Sequence, residues 1–159
     1  MLRFVSKRAA FPPLGLPTVA AMLPRDWQLK VVDLNVERLR DEELLWADYV
    51  MLSAMLVHQS SVREVVARCA ALGKPVIAGG PLFTTGHEGF PEIGHVVLGE
   101  AEEVMPRLVA DLQAGRLQRA YKAPGWTKPQ GTGNRWSGRR GDGLETVFPQ
   151  VLLKRATLL

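Results

Sequence analysis

One cysteine in 159 residues rules out a disulfide within the chain, a zinc knuckle and an iron–sulfur cluster held by the chain's own thiolates. That residue, Cys69, lies in VREVVARCAALG, where the spacing of apolar positions makes it a packed helical thiol. No apolar run approaches the roughly 18 residues of a membrane span. The opening MLRFVSKRAAFPPLG has charges but lacks the apolar stretch and cleavage site of a secretion signal, so a cytoplasmic protein is expected. Neither G-x-x-x-x-G-K nor G-x-G-x-x-G occurs, and no internal repeat is visible. The three histidines, His58, His87 and His95, lack the i, i+4 spacing of a helical metal pair, and surface or turn positions are expected for them.

What is present is enough apolar residue, 47%, for one core. The net charge of +4 is unevenly spread. Residues 1–121 hold 13 Lys+Arg against 14 Asp+Glu, a balance of −1, and residues 122–159 hold 7 against 2, a balance of +5. A near-neutral domain with a basic tail is the expected division.

Residues 1–121 alternate strand and helix patterns, as a parallel sheet covered by helices requires. FPPLGLPTVAAMLP gives a turn and about two turns of apolar helix, stopped by Pro24. QLKVVDLN is a strand, DEELLWA a charged connector, and YVMLSAML a strand buried on both faces. HQSSVREVVARCAALG is a helix capped by Ser60 or Ser61, with Val62, Val65, Val66 and Cys69 inward and Gly73 at its end. KPVIAGG and GHVVLGE are strands, and EAEEVMPRLVADLQAG is a last helix with acids in its first turn. In such a fold ligands sit beyond the carboxyl ends of the strands, so Asp33, Asn35, Ser53, Gly79, Gly80, Gly99 and Glu100 should share one rim.

The helix at 16–23 has no hydrophobic strand before it, because residues 1–10 offer only LRFV followed by SKR. The first strand of a doubly wound unit, which belongs in the middle of the sheet, therefore looks missing. After Tyr121 the stretch APGWTKPQGTGNRWSGRRGDG has six glycines and two prolines with no period, and residues 122–159 are read as an irregular basic tail. The closing LETVFPQVLLKRATLL has the composition of a short strand or helix able to fill a gap in the sheet, and nothing in it chooses between them.

The pair in VIAGGPLFTT is explained most simply by a sharp turn, since glycine admits positive φ. With no phosphate-loop motif, a nucleotide site lacks its signature. Asp33 could bind a ribose hydroxyl, but PPLGLP stands where the glycine-rich loop should precede it. As a phosphoacceptor it would lack the acidic pair and lysine expected at neighbouring strand ends.

The order is more specific than any piece: PPLGL, then VVDLN, ADYVMLSAM, PVIAGGPLFTT, and HVVLGEAE before a last helix. From Phe11 to Tyr121 the chain resembles the cobalamin-binding domain at the front of radical S-adenosylmethionine enzymes, in the subgroup of lipid- and hopanoid-type methylases. The resemblance implies a doubly wound, flavodoxin-like α/β fold. The general pattern of that superfamily is D-x-H-x-x-G, then S-x-L, then G-G. Asp33 stands at its aspartate, Asn35 at its histidine, Arg38 at its last glycine, Ser53-Ala54-Met55 at S-x-L and Gly79-Gly80 at G-G.

Several expectations follow from the resemblance. Cobalamin would bind without a protein ligand to cobalt, because asparagine at position 35 is a poor nitrogen donor. Gly79, Gly80 and the following Pro81 would let backbone approach the cofactor's nucleotide tail, with Ser53 hydrogen-bonding it. Leu14, Gly15 and Met55 would line the apolar corrin side. Gly99 and Glu100 complete the expected cofactor-binding set, although Glu100 has at least as strong a claim to be a first-turn helix acid. His58, just beyond the Ser53 strand, could lie near the upper cobalt face.

Full-length relatives continue into a barrel with C-x-x-x-C-x-x-C, which is absent here. The expected role is to present methylcobalamin to a radical S-adenosylmethionine partner domain for methyl transfer, with no independent catalysis. The missing strand and basic tail suggest a fragment of a longer gene, or a shortened gene whose end reads in another frame. The competing classes are a remnant that binds nothing and a partner- or nucleic-acid-binding module using the tail with Trp126 and Trp136. Seven basic residues diluted over that tail make a weak electrostatic case.

Overall fold

The computed structural model describes residues 15–128 and 150–155. In chain order these form α1 (Gly15–Met22), β1 (Gln28–Asp33), α2 (Asp41–Trp46), β2 (Tyr49–Ser53), α3 (Gln59–Ala71), β3 (Val76–Gly79), α4 (Pro81–Gly86), β4 (His95–Leu98), α5 (Ala101–Gln113), β5 (Ala120–Lys122) and β6 (Gln150–Arg155). A 3₁₀ turn, Leu56–His58, joins β2 to α3.

Six strands form one sheet in the order β1-β6-β2-β3-β4-β5. Strands β2 to β5 are parallel in register, with Ser53 beside Gly79 and Ala78 beside Val96. The α/β class and the parallel arrangement are as the alternating pattern anticipates. Period-two alternation then sorts the side chains. Val50, Leu52 and Ala78 join Val62, Val65, Val66 and Cys69 of α3 in one core. Met51, Ile77 and Val97 face the other way, against Leu16 of α1 and Met105 and Leu108 of α5.

The place between β1 and β2, where the first strand of a doubly wound unit is expected, is filled by β6. It runs antiparallel to both neighbours, pairing Gln28–Asp33 on one side and Tyr49–Ser53 on the other. Strands β1 and β2 present backbone donors and acceptors toward each other that a buried sheet cannot leave unpaired, and β6 satisfies both rows. Val151 is fully buried at its centre. Residues 150–155 are therefore the strand that the closing segment's composition allowed to fill a gap, not irregular tail, and the expected all-parallel sheet carries one antiparallel strand. The boundary after Tyr121 also fails as a structural divide, since β5 crosses it and β6 belongs to the same sheet.

Two smaller expectations are corrected. DEELLWA is not a connector, since its first six residues form a helix anchored by fully buried Leu44 and by Glu43, whose carboxylate accepts the Arg40 backbone N–H at 2.9 Å. Neither serine caps α3; the helix starts at Gln59, and the turn before it is closed by His58, whose Nδ1 accepts the Met55 N–H at 2.9 Å. The threonines of PLFTTG lie on α4, which Pro81 starts at the position where a missing N–H costs nothing.

Candidate functional site

A cavity of about 470 Å³ opens between α1, α5 and the carboxyl ends of β2, β3 and β4. Its wall is divided by polarity. Leu16, Met51, Ile77, Val97, Met105 and Leu108 line it and are buried, while Ser53, Thr84 and Thr85 are partly exposed and Glu100 and Glu102 are exposed. The division follows from the fold: Met51 and Ile77 are mid-strand residues paired across β2 and β3, and Ser53 and Gly79 end those strands.

Ser53 is the polar centre of the mouth. A Cβ placed on Gly15 would lie 3.4 Å from its Oγ, and one placed on Gly80 would lie 3.0 Å from the same atom. Two glycines from distant segments thus make room for this hydroxyl. Among the described residues Ser53 Oγ has no hydrogen-bond partner, so it is available to a ligand.

The two glycines of VIAGG have different reasons. Gly80 has φ +90°, and its added Cβ would also meet Ala54 O at 3.1 Å and Ala54 N at 3.2 Å. What comes close to Gly80 is the chain itself, at the end of β2. Gly79 has no such need: its added Cβ would meet Val97 Cβ at 3.5 Å, an ordinary contact. Gly99 resembles Gly80, with φ +91° and an added Cβ 2.9 Å from Ala123 Cβ and 3.3 Å from Trp126 Cδ1. Its N–H points to Thr84 Oγ1 at 3.4 Å, tying the end of β4 to α4.

Seven of the expected residues, Gly15, Ser53, Gly79, Gly80, Pro81, Gly99 and Glu100, line the cavity. Glu100 is also the residue that precedes α5, without a side-chain capping bond. Asp33 and Asn35 do not line it. Asp33 Oδ1 accepts the Asn35 backbone N–H at 2.9 Å and the Asn35 Nδ2–H at 2.6 Å, and Asn35 is 2% exposed. Met55 lies beyond Ser53 on the rim, 54% exposed beside exposed Leu56 and Val57. Leu14 and Trp136 lie outside the described residues.

His58 lies in a turn, one of the surface or turn positions expected of it, but it is buried there, at 4% exposed. Burial pushes its imidazole pKa down, and Nε2 has no partner among the described residues. Trp126, weighed as a stacking residue, is instead half-buried over Gly99, with Lys122 Nζ 5.4 Å from its ring.

The residues missed by sequence reasoning are the buried wall and Thr84 and Thr85. A signal existed: Leu16 and Val19, and Met105 and Leu108, are i, i+3 pairs on the inner faces of two helices. Apolar stripes of that kind mark core and ligand walls alike, so the spacing could not identify a cavity. Among the described residues no group of three or more His, Cys, Asp or Glu could hold a metal, and no helix is long and apolar enough to cross a membrane.

Comparison with known proteins bears on what the cavity holds. The family profile described as the B12 binding domain matches residues 5–109. An uncharacterized methyltransferase of Synechocystis sp. is 35% identical over 125 residues, which is 77% of this chain and 23% of that protein. The hopanoid C-2 methylase of Rhodopseudomonas palustris is 31% identical over 105 residues, 65% of this chain and 20% of that protein. The matched stretch thus spans less than a quarter of the length of either relative. No solved structure matches the chain.

Proposed function

Because the chain belongs to the B12-binding domain family, we propose that it binds cobalamin, with the nucleotide tail of the cofactor in the cavity and the corrin over the rim. The observation that carries this reading is the cavity at the carboxyl ends of β2 to β4, with a buried apolar wall and, at its mouth, Ser53 Oγ, which has no partner among the described residues. A flat, mostly apolar base suits that wall, and a hydroxyl at the mouth suits the polar part of the tail.

Each residue then has a limited task. Ser53 hydrogen-bonds the tail. Gly79 and Pro81 present backbone to it, and Gly15 and Gly80 keep the space around Ser53 clear. Met55, Leu56 and Val57 lay an apolar surface against the corrin and displace water from it. Asn35 leaves cobalt without a ligand from its position, since its side chain is held to Asp33.

Bound cobalamin would supply a cobalt able to carry a methyl group; orientation and water exclusion are what this chain adds. By analogy with the methyltransferase relatives, the cofactor would be presented to a radical S-adenosylmethionine domain, in the cytoplasm. The chain would not turn over alone, because its one cysteine cannot hold the cluster.

The test is titration of the purified chain with hydroxocobalamin, followed by gel filtration and visible spectra of the protein fraction. Co-elution that weakens in Ser53→Val supports the reading. A chain that is folded by circular dichroism yet passes no cofactor through the column would overturn it in favour of a non-binding remnant.

A further inference from the structure

The cavity's polar groups are distributed in a way that bears on which corrinoid it accepts. We infer that it discriminates on the lower base, taking a cobamide with an apolar benzimidazole-type base in preference to one with adenine. This inference rests on the cobalamin reading above and adds a specificity to it.

The buried lining consists of aliphatic and thioether side chains: Leu16 from α1, Met51, Ile77 and Val97 from the sheet, Met105 and Leu108 from α5. None carries an N–H or O–H donor, and the backbone of Met51 and Ile77 is committed to strand pairing. The cavity's hydroxyls and carboxylates, on Ser53, Thr84, Thr85, Glu100 and Glu102, all belong to residues that are partly or fully exposed. Ser53 is placed to hydrogen-bond the ribose and its phosphate linkage, which both cofactors share, and the carboxylates at the mouth can accept from ribose hydroxyls.

A benzimidazole base brings two aromatic rings and, with its glycosidic nitrogen used, only one further ring nitrogen, so burial costs little. Adenine brings an exocyclic amine and three further ring nitrogens that must leave water for a wall with no polar side chain. Leaving such groups unpaired weakens binding by about 10- to 100-fold.

The experiment is competitive retention on the full chain of three corrinoids: cobalamin, its adeninyl analogue and cobinamide, which lacks the nucleotide. Dissociation constants come from the visible spectrum after gel filtration. Expected is tightest binding of cobalamin, about 10- to 100-fold weaker binding of the adeninyl analogue, and weak or no retention of cobinamide. Val19→Thr, a half-buried substitution on the same wall, should narrow the gap between the first two. Equal affinity for the two complete cobamides overturns the inference while leaving cobalamin binding intact, as does equal retention of cobinamide. Failure to retain any of the three defeats the binding reading and the inference with it.

Discussion

Gly80 and Ser53 are packed so closely that a Cβ on the glycine would stand 3.0 Å from the serine Oγ, in a backbone conformation, φ +90°, that side-chain-bearing residues rarely adopt. The adjacent Gly79 has neither constraint. A motif that reads as two equivalent glycines thus joins one position demanded by the fold to one where a methyl group fits.

Gly80→Ala should therefore cost about 1–3 kcal/mol in stability, through strain at positive φ and contact with Ser53 and Ala54. Gly79→Ala should change stability by less than about 1 kcal/mol. Urea denaturation of both variants checks this. If Gly79→Ala proves the more damaging, the separation of roles drawn from the geometry is mistaken.

His58 predicts a pH dependence. Burial lowers its pKa from the ordinary 6.5, and its Nδ1 must be unprotonated to accept the Met55 N–H. A group whose folded pKa is depressed contributes stability that is present above the unfolded value. That contribution is lost as pH falls from about 6.5 through the lower folded value. His58→Asn keeps an acceptor near the Nδ1 position without titrating there, so it should flatten this part of the profile; His58→Phe should lower stability at neutral pH. Urea midpoints at several pH values between 7.5 and 5 would show it. An unchanged slope in His58→Asn would assign the pH response to another group.

Glu43 governs a lower pH window. Burial alone would raise its pKa, but the Arg40 N–H, the Lys30 ammonium and the Arg40 guanidinium outweigh that and hold it at about 2 instead of 4.5. Its contribution is full above about 4.5 and is lost as pH falls toward 2. Glu43→Gln should destabilise the chain by about 2 kcal/mol at pH 7, because a neutral amide cannot replace charge-assisted bonds, and by much less near pH 2. Thermal melts at both pH values check it; equal losses would mean that the carboxylate's charge is not what matters.

Much of this architecture is written locally. The stripe Val62, Val65, Val66 and Cys69 identified the inner face of α3, and the strand ends Ser53, Gly79, Gly80, Gly99 and Glu100 are where the polar breaks in apolar runs put them. The misreadings have a different origin. Asp33 and Asn35 end a strand as expected, but side chain and backbone bond locally into a turn, and only three-dimensional placement shows that the turn lies off the cavity. His58 occupies a turn, one of the two places expected for it, yet one hydrogen bond within that turn lets it be buried, which spacing alone does not show. The charged helix α2 depends on Leu44 and the partners of Glu43, two of them outside the helix. Hardest to read was β6. Its composition permits a strand, but the place it fills is created by β1 and β2, about a hundred residues earlier.

The last prediction tests that filling strand. With Val151 fully buried and β6 paired on both sides, the strand should be the element that joins β1 to the rest of the sheet. Val151→Asp would place an unpaired carboxylate in the core, a loss of about 3 kcal/mol or more. Val151→Ala gives a milder probe should that variant fail to fold. In hydrogen exchange, Val151→Ala should lower protection first across Gln28–Asp33 and Tyr49–Ser53, while β4 and β5 keep theirs. Because Ser53 pairs with Gln150 as well as Gly79, the same variant should loosen the cavity mouth and weaken corrinoid retention. If β1 and β2 keep full protection, another segment must complete the sheet in solution, and Ser53 would owe its position to β3 alone.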